Sequence, residues 1–263
     1  TLNGMYSLCS EKWRKDAGKA LLEMIDYFDT LPYADRIIGY FLAAGGTSEW
    51  YYYNPIENFQ TGAYADTSKA FKTEFKKFLK EKYGKDAPEP IIPDISSRYY
   101  AEKIDEEMYN IPRVRPADPA PKPPKRAAHI GAFLDVDNYQ QTADFYRAWH
   151  LGTANSIIYF AKLLKEHDAD KLVGAFYGSW GGSELIWASN AGGVMKLLES
   201  PYLDFMSNPG VYENRQPGGF TGQRQMPDSF RLHNKMYIIE EDTRTHAENA
   251  YFKDLIELFT IED

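Results

Sequence analysis

Apolar positions recur at three-to-four spacing in long stretches of this chain and run almost unbroken in short ones, which predicts helices alternating with buried strands. Trp13, Ala17, Leu21, Met24, Ile25 and Phe28 form one such stripe, opened by Ser10 as N-cap and stopped near Thr30-Leu31-Pro32. Residues 68 to 83 form a second helix, with Phe71, Phe75, Phe78 and Leu79 on one face, a solvated face of lysines opposite, and Gly84 as the C-cap. Residues 138 to 167 carry the stripe Tyr139, Thr142, Tyr146, Trp149, Thr153, Ile157, Phe160, Ala161 and Leu164, a long third helix. Shorter helices are expected at 193–199 and 228–233, and a helical tail at 247–259.

Four apolar runs of strand length, 37–44, 172–177, 203–206 and 236–239, each break into glycine-rich, polar or acidic residues at the C-terminal end. Helix and strand in strict alternation imply a parallel sheet joined by right-handed crossovers. The expected fold is therefore α/β, built from TIM-barrel-type (β/α) repeats, and four strands make a half-barrel with parallel strands and two unpaired edges. Residues 1–263 read as a single partial barrel domain. The proline density from about 87 to 126, culminating in Pro119-Ala120-Pro121-Lys122-Pro123-Pro124, reads as a surface excursion rather than a boundary.

Composition narrows the function classes. Among 263 residues, 43% are hydrophobic and 26% charged, the balance of an ordinary globular protein. A net charge of -8 argues against a nucleic-acid partner, which needs a dominating basic patch. No apolar stretch approaches the ~18 residues that span a bilayer, so no membrane partner is expected. The single cysteine, Cys9, excludes an intrachain disulfide and a cysteine metal cluster. The first residues lack the basic and apolar regions of a signal peptide, but the chain starts at Thr1, where an export signal could already be gone, so the compartment is open. The 20 tyrosines and 5 tryptophans can line a groove that stacks sugar faces, although core packing accounts for most of them.

The candidate chemistry sits at two strand ends: IIGYFLAAGGTSEW, which finishes on Glu49 and Trp50, and NKMYIIEEDTRTH, which carries Glu240, Glu241 and Asp242. Barrel active sites are built where strands end, so a glutamate at each of two such ends is the arrangement of a two-carboxylate glycosidase. Either glutamate alone reads as a solvated loop residue. Glu49, after small residues and before Trp50, is expected against an apolar wall that favours the protonated carboxyl of an acid catalyst. Glu240 must stay ionised, with Arg244 or Lys235 as the nearby cations in sequence. Adjacent strand residues face opposite sides, which separates Glu240 from its runner-up Glu241.

Tyr177 and Trp180 are candidates for a sugar platform or for positioning the nucleophile, with an aromatic lid as the alternative. Asn208, Tyr212 and Arg215 follow another strand. There a tyrosine on the nucleophile and a loop-stabilising arginine are the expected roles. Asp242 and Arg244 read as a structural ion pair. His129, His233 and His246 lack metal-ligand spacing, so no metal and no cofactor is expected.

The stretches GYFLAAGGTSEW, KAFKTEFKKFLKEKYG, LVGAFYGSWGG, SNPGVYENRQPGG and KMYIIEEDTRTH together resemble the catalytic barrel of retaining glycoside hydrolases of clan A, most closely the β-galactosidase-like enzymes of family 42. The resemblance implies strands four to seven of that barrel, with Glu49 as acid/base and Glu240, in the spacing E-x-D-x-R-T-H, as nucleophile. The family's Asn-Glu pair is Ser48-Glu49 here, so the asparagine that holds the sugar 2-hydroxyl is replaced. The expected activity is retaining hydrolysis of small β-linked galactosides or glucosides, with Trp50 among the substrate contacts. The alternative is a non-catalytic, carbohydrate-binding or remnant half-barrel. Two copies closing one barrel as a homodimer would pair both edges; equally, the chain could be part of a longer protein.

Overall fold

A computed structural model of the chain describes residues 6–45, 48–50, 66–93, 129–130, 133–134, 136–178, 192–210 and 223–240. Helix α1 spans Glu11–Asp29, and its Ser10 side chain accepts from the Trp13 N–H. Helix α2 spans Lys69–Tyr83 between an equivalent Ser68 cap and Gly84, whose φ of 62° a side chain would resist. Helix α3, Val136–His167, carries a non-helical residue at Tyr139. Two short helices follow, α4 at Val194–Leu198 and α5 at Pro227–Leu232. These agree with the sequence pattern, because caps and apolar stripes are local signals.

Four strands make one parallel sheet: β1 (Gly39–Leu42), β4 (Leu172–Phe176), β5 (Phe205–Pro209) and β6 (Met236–Glu240), side by side in chain order. Between β1 and β4 the chain also forms a small antiparallel pair, β2 (His129–Ile130) with β3 (Phe133–Leu134), where the sequence suggested no strand. The strand expected at 203–206 is displaced to 205–209, because its register is set by pairing to both neighbours: Ala175 opposes Met206, and Asn208 opposes Ile239. The tail helix expected at 247–259 and most of the proline-rich stretch lie outside the described residues.

The register assigns the faces. Leu42, Val173, Ala175 and Met206 share one face and are buried in the main core with Ile157, Phe160 and Ala161 of α3. Helix α3 packs on β1 and β4, and α1 and α2 pack on α3. An Arg14–Glu74 pair at 3.7 Å stitches these helices together, and the same arginine donates to Ser156 Oγ and Gly152 O.

The opposite face carries Phe41, Gly174, Phe176, Phe205, Ser207, Met236, Ile238 and Glu240. Phe205 lies across Gly174, where a Cβ would sit 2.1 Å from its ring, and stacks on Phe41 at 5.7 Å. The strands lie adjacent in chain order, and among the described residues helices α3 and α5 pack against them.

Candidate active site

Both candidate glutamates sit at the carboxyl end of the sheet, Glu49 beyond β1 and Glu240 at the end of β6. Beyond β1 the chain turns back so that Glu49 bridges Ala44, with the Trp50 N–H donating to Ala44 O at 2.7 Å and the Ala44 N–H to Ser48 O at 3.2 Å. Ser48 and Trp50 bracket Glu49 with φ of 72° and 59°, a left-handed backbone that costs roughly 1–3 kcal/mol per residue away from glycine. Such strain persists only where the surroundings hold it. Here the Trp50 indole N–H donates to Leu42 O at 2.9 Å, and its ring packs against Trp13 and Phe160. Glu49 itself is 9% exposed.

Glu240 is the last residue of β6 and is exposed. It shares a face with Met236 and Ile238, opposite Pro209 of β5, and its carbonyl accepts from the Gly210 N–H at 3.2 Å. Three strand steps separate the two outer strands, roughly 14 Å at the backbone of a flat sheet.

A strap that sequence reasoning missed fastens this end. Residues 223–226, just before α5, attach through Arg224 Nε to Gly210 O at 3.3 Å and through Gln225 Nε2 to Gly178 O. The backbone N–H groups of Arg224 and Gln225 face the Tyr237 oxygen, and Tyr237 donates to Asn208 Oδ1 at 2.8 Å. Burial, opposed by these hydrogen bonds, holds the Tyr237 phenol above its ordinary range. Only the length of Gly, Gln and Arg loop before Pro227 hinted at such a strap.

Several expected site residues are packed inside the protein. Trp50, expected as a sugar contact, is 2% exposed and belongs to the helix-side core. Tyr177 is buried in the same core, and its hydroxyl accepts the Gly193 N–H at 2.9 Å, while burial pushes its phenol well above the ordinary range. Asn208 is fully buried on the helix side of β5, held by Tyr237, with its Nδ2 unpartnered. Lys235, expected to serve Glu240, lies at the other end of β6 and donates to Ser200 O at 2.7 Å and to Leu203 O. His233 Nδ1 lies 2.7 Å from Ser229 O within α5. Trp180, Tyr212, Arg215, Glu241, Asp242, Arg244 and His246 lie outside the described residues. Among the described residues, no group of three His, Cys, Asp or Glu side chains is arranged to hold a metal, and no helix is long and apolar enough to cross a membrane.

Compared with protein-family models, curated proteins and solved structures, the chain matches none.

Proposed function

We propose that the sheet is part of a TIM-type barrel and that the chain works as a retaining β-glycosidase on small β-linked galactosides or glucosides, in the manner of the clan A enzymes it resembles. The observation that supports this reading is the disposition of the two glutamates: one just beyond β1 and one at the end of β6, both past the carboxyl ends of strands three steps apart in one parallel sheet, the first buried and the second exposed. Two carboxyl groups in unlike surroundings divide the work of acid and nucleophile.

Glu240 as carboxylate attacks the anomeric carbon while Glu49 gives its proton to the departing glycosidic oxygen, leaving a glycosyl ester on Glu240. Glu49, now a carboxylate, takes a proton from water as that water cleaves the ester, and both groups return to their starting states. This chemistry requires the carboxyl groups ~5 to 5.5 Å apart, which a curled sheet with side chains turned inward can provide from outer strands roughly 14 Å apart. The mechanism needs neither metal nor cofactor.

The test is hydrolysis of a panel of aryl β-glycosides by the purified chain, with Glu240→Gln beside it as the control for contaminating activity. Turnover that disappears in the variant supports the proposal and names the glycone. A variant as active as the parent sinks it.

A second reading, a non-catalytic carbohydrate-binding or remnant barrel, draws on the burial of Trp50, Tyr177 and Asn208, which removes three expected sugar contacts. Sugar binding without aglycone release would favour it.

A further inference from the structure

Glu240 is exposed, and among the described residues no hydrogen bond or ion pair holds its carboxylate, so its place is set by its backbone. The Glu240 carbonyl accepts from the Gly210 N–H at 3.2 Å, and Gly210 O in turn accepts from Arg224 Nε at 3.3 Å. Glycine has the freest backbone of any residue, so these two bonds fix a link that no side chain restrains. The next strap residue, Gln225, donates from Nε2 to Gly178 O. A Cβ on Gly178 would stand 2.2 Å from that nitrogen, which places the amide directly against the backbone there. Gly178 and Gly210 lie just beyond β4 and β5. The N–H groups of Arg224 and Gln225 face the Tyr237 oxygen, on β6 itself. Two adjacent residues thus join the ends of β4, β5 and β6.

We propose that Arg224 and Gln225 are positioning residues for Glu240: by holding three neighbouring strand ends in one arrangement, they present its carboxylate at a fixed point for attack on the anomeric carbon. The proposal rests on the glycosidase reading above. The strap grips from the side suited to that task. Tyr237 and Asn208 lie on the helix side of the sheet, whereas Glu240 follows Ile239 and therefore faces the other way. The backbone is held from one side, and the other is left for a sugar to approach. Attack needs the reacting atoms about 3–3.5 Å apart, and a misplacement of about 1 Å costs about 10²-fold in rate. A carboxylate that no described side chain steadies depends on its strand end for that precision.

The test uses Arg224→Met and Gln225→Met, each of which keeps a long side chain and removes its donors; circular dichroism verifies the fold, and either variant serves if the other fails to fold. Labelling by a 2-deoxy-2-fluoro aryl β-glycoside with a good leaving group reads the attack by Glu240 directly. Both variants should reach the parent's final label, at the parent's half-saturating concentration, but with a maximal labelling rate about 10- to 100-fold lower. A merely structural role would lower the amount of active protein, and so the final label, without slowing the protein that remains. Maximal rates equal to the parent's, or a loss confined to the final label, overturn the proposal. Amide exchange reads the coupling without substrate: Arg224→Met should speed exchange at Gly210 roughly tenfold relative to the middle of β5, and unchanged exchange there also overturns it. A parent that takes no label contradicts the glycosidase reading and the catalytic role of the strap with it, whereas a labelled parent with unslowed variants removes the strap alone.

Discussion

The two outer strands of the sheet end in opposite ways. Beyond β1, Glu49 is buried in a turn with two left-handed residues, clamped by an indole that reaches back to Leu42 and packs on Trp13 and Phe160. At β6, Glu240 is simply the exposed last residue of a regular strand, and a strap of residues 223–226 lies behind it. Among the described residues, the left-handed backbone next to a candidate glutamate is that of Ser48 and Trp50. One glutamate is buried and the other exposed, and the proposed mechanism assigns proton transfer to the first and nucleophilic attack to the second.

The largest expected effect falls on that asymmetry. Glu49→Gln keeps the shape of the buried side chain but removes its proton transfer, and should lower turnover of substrates with poor leaving groups by ~10²- to 10⁴-fold. Steady-state kinetics across aryl glycosides of graded leaving ability should show the loss shrinking as the leaving group improves. A uniform loss would mean that Glu49 does not act as the acid.

Next comes the clamp. Trp50→Ala removes a fully packed ring and one hydrogen bond, and thermal or urea unfolding should report about 3–5 kcal/mol of destabilisation. A cost under about 1 kcal/mol would show that the β1 turn is not held as described.

The β6 end offers a smaller effect with a pH signature. Tyr237→Phe deletes the donor to Asn208 Oδ1 and should cost about 1–2 kcal/mol at neutral pH. Because burial raises the folded phenol above its unfolded value near 10, the neutral tyrosine contributes fully below about pH 10 and loses that contribution as pH rises through the folded value. Unfolding measured from neutral to alkaline pH should therefore show the parent falling more steeply than the variant above about pH 10. Parallel profiles would contradict this.

The smallest effect sharpens the contrast between the two ends. Ser48→Gly relieves a left-handed φ at the β1 turn, and denaturant unfolding should register a gain of up to about 1 kcal/mol. A loss of stability would mean that the Ser48 side chain makes contacts that outweigh the strain.

The parts of this molecule that were legible in sequence are those that local chemistry decides. Ser10 and Ser68 announce their helices because a side-chain oxygen meets an N–H three residues on. The parallel pairing of the four strands followed from their alternation with helices. What failed depended on distant partners. The apolar run at 203–206 suggested a strand there, yet pairing with β4 and β6 carried β5 through Ser207, Asn208 and Pro209. Trp50 follows Glu49 in sequence, but a left-handed φ sends its ring into the core, and no local pattern encodes that turn. Lys235 is five residues from Glu240, yet a strand rises ~3.3 Å per residue, which puts the lysine at the opposite end of the sheet. At the candidate site, the glutamates were legible as strand ends, whereas the strap through Arg224 and Gln225 became visible only once the strands were assembled.

The most direct test of the catalytic pair is covalent trapping. A 2-deoxy-2-fluoro aryl β-glycoside, with a good leaving group and a slowed second step, should leave one glycosyl unit on the protein, and peptide mass spectrometry should place it on Glu240. A label on Glu241 or elsewhere would contradict the assigned nucleophile. No label from any such glycoside would contradict the retaining glycosidase itself.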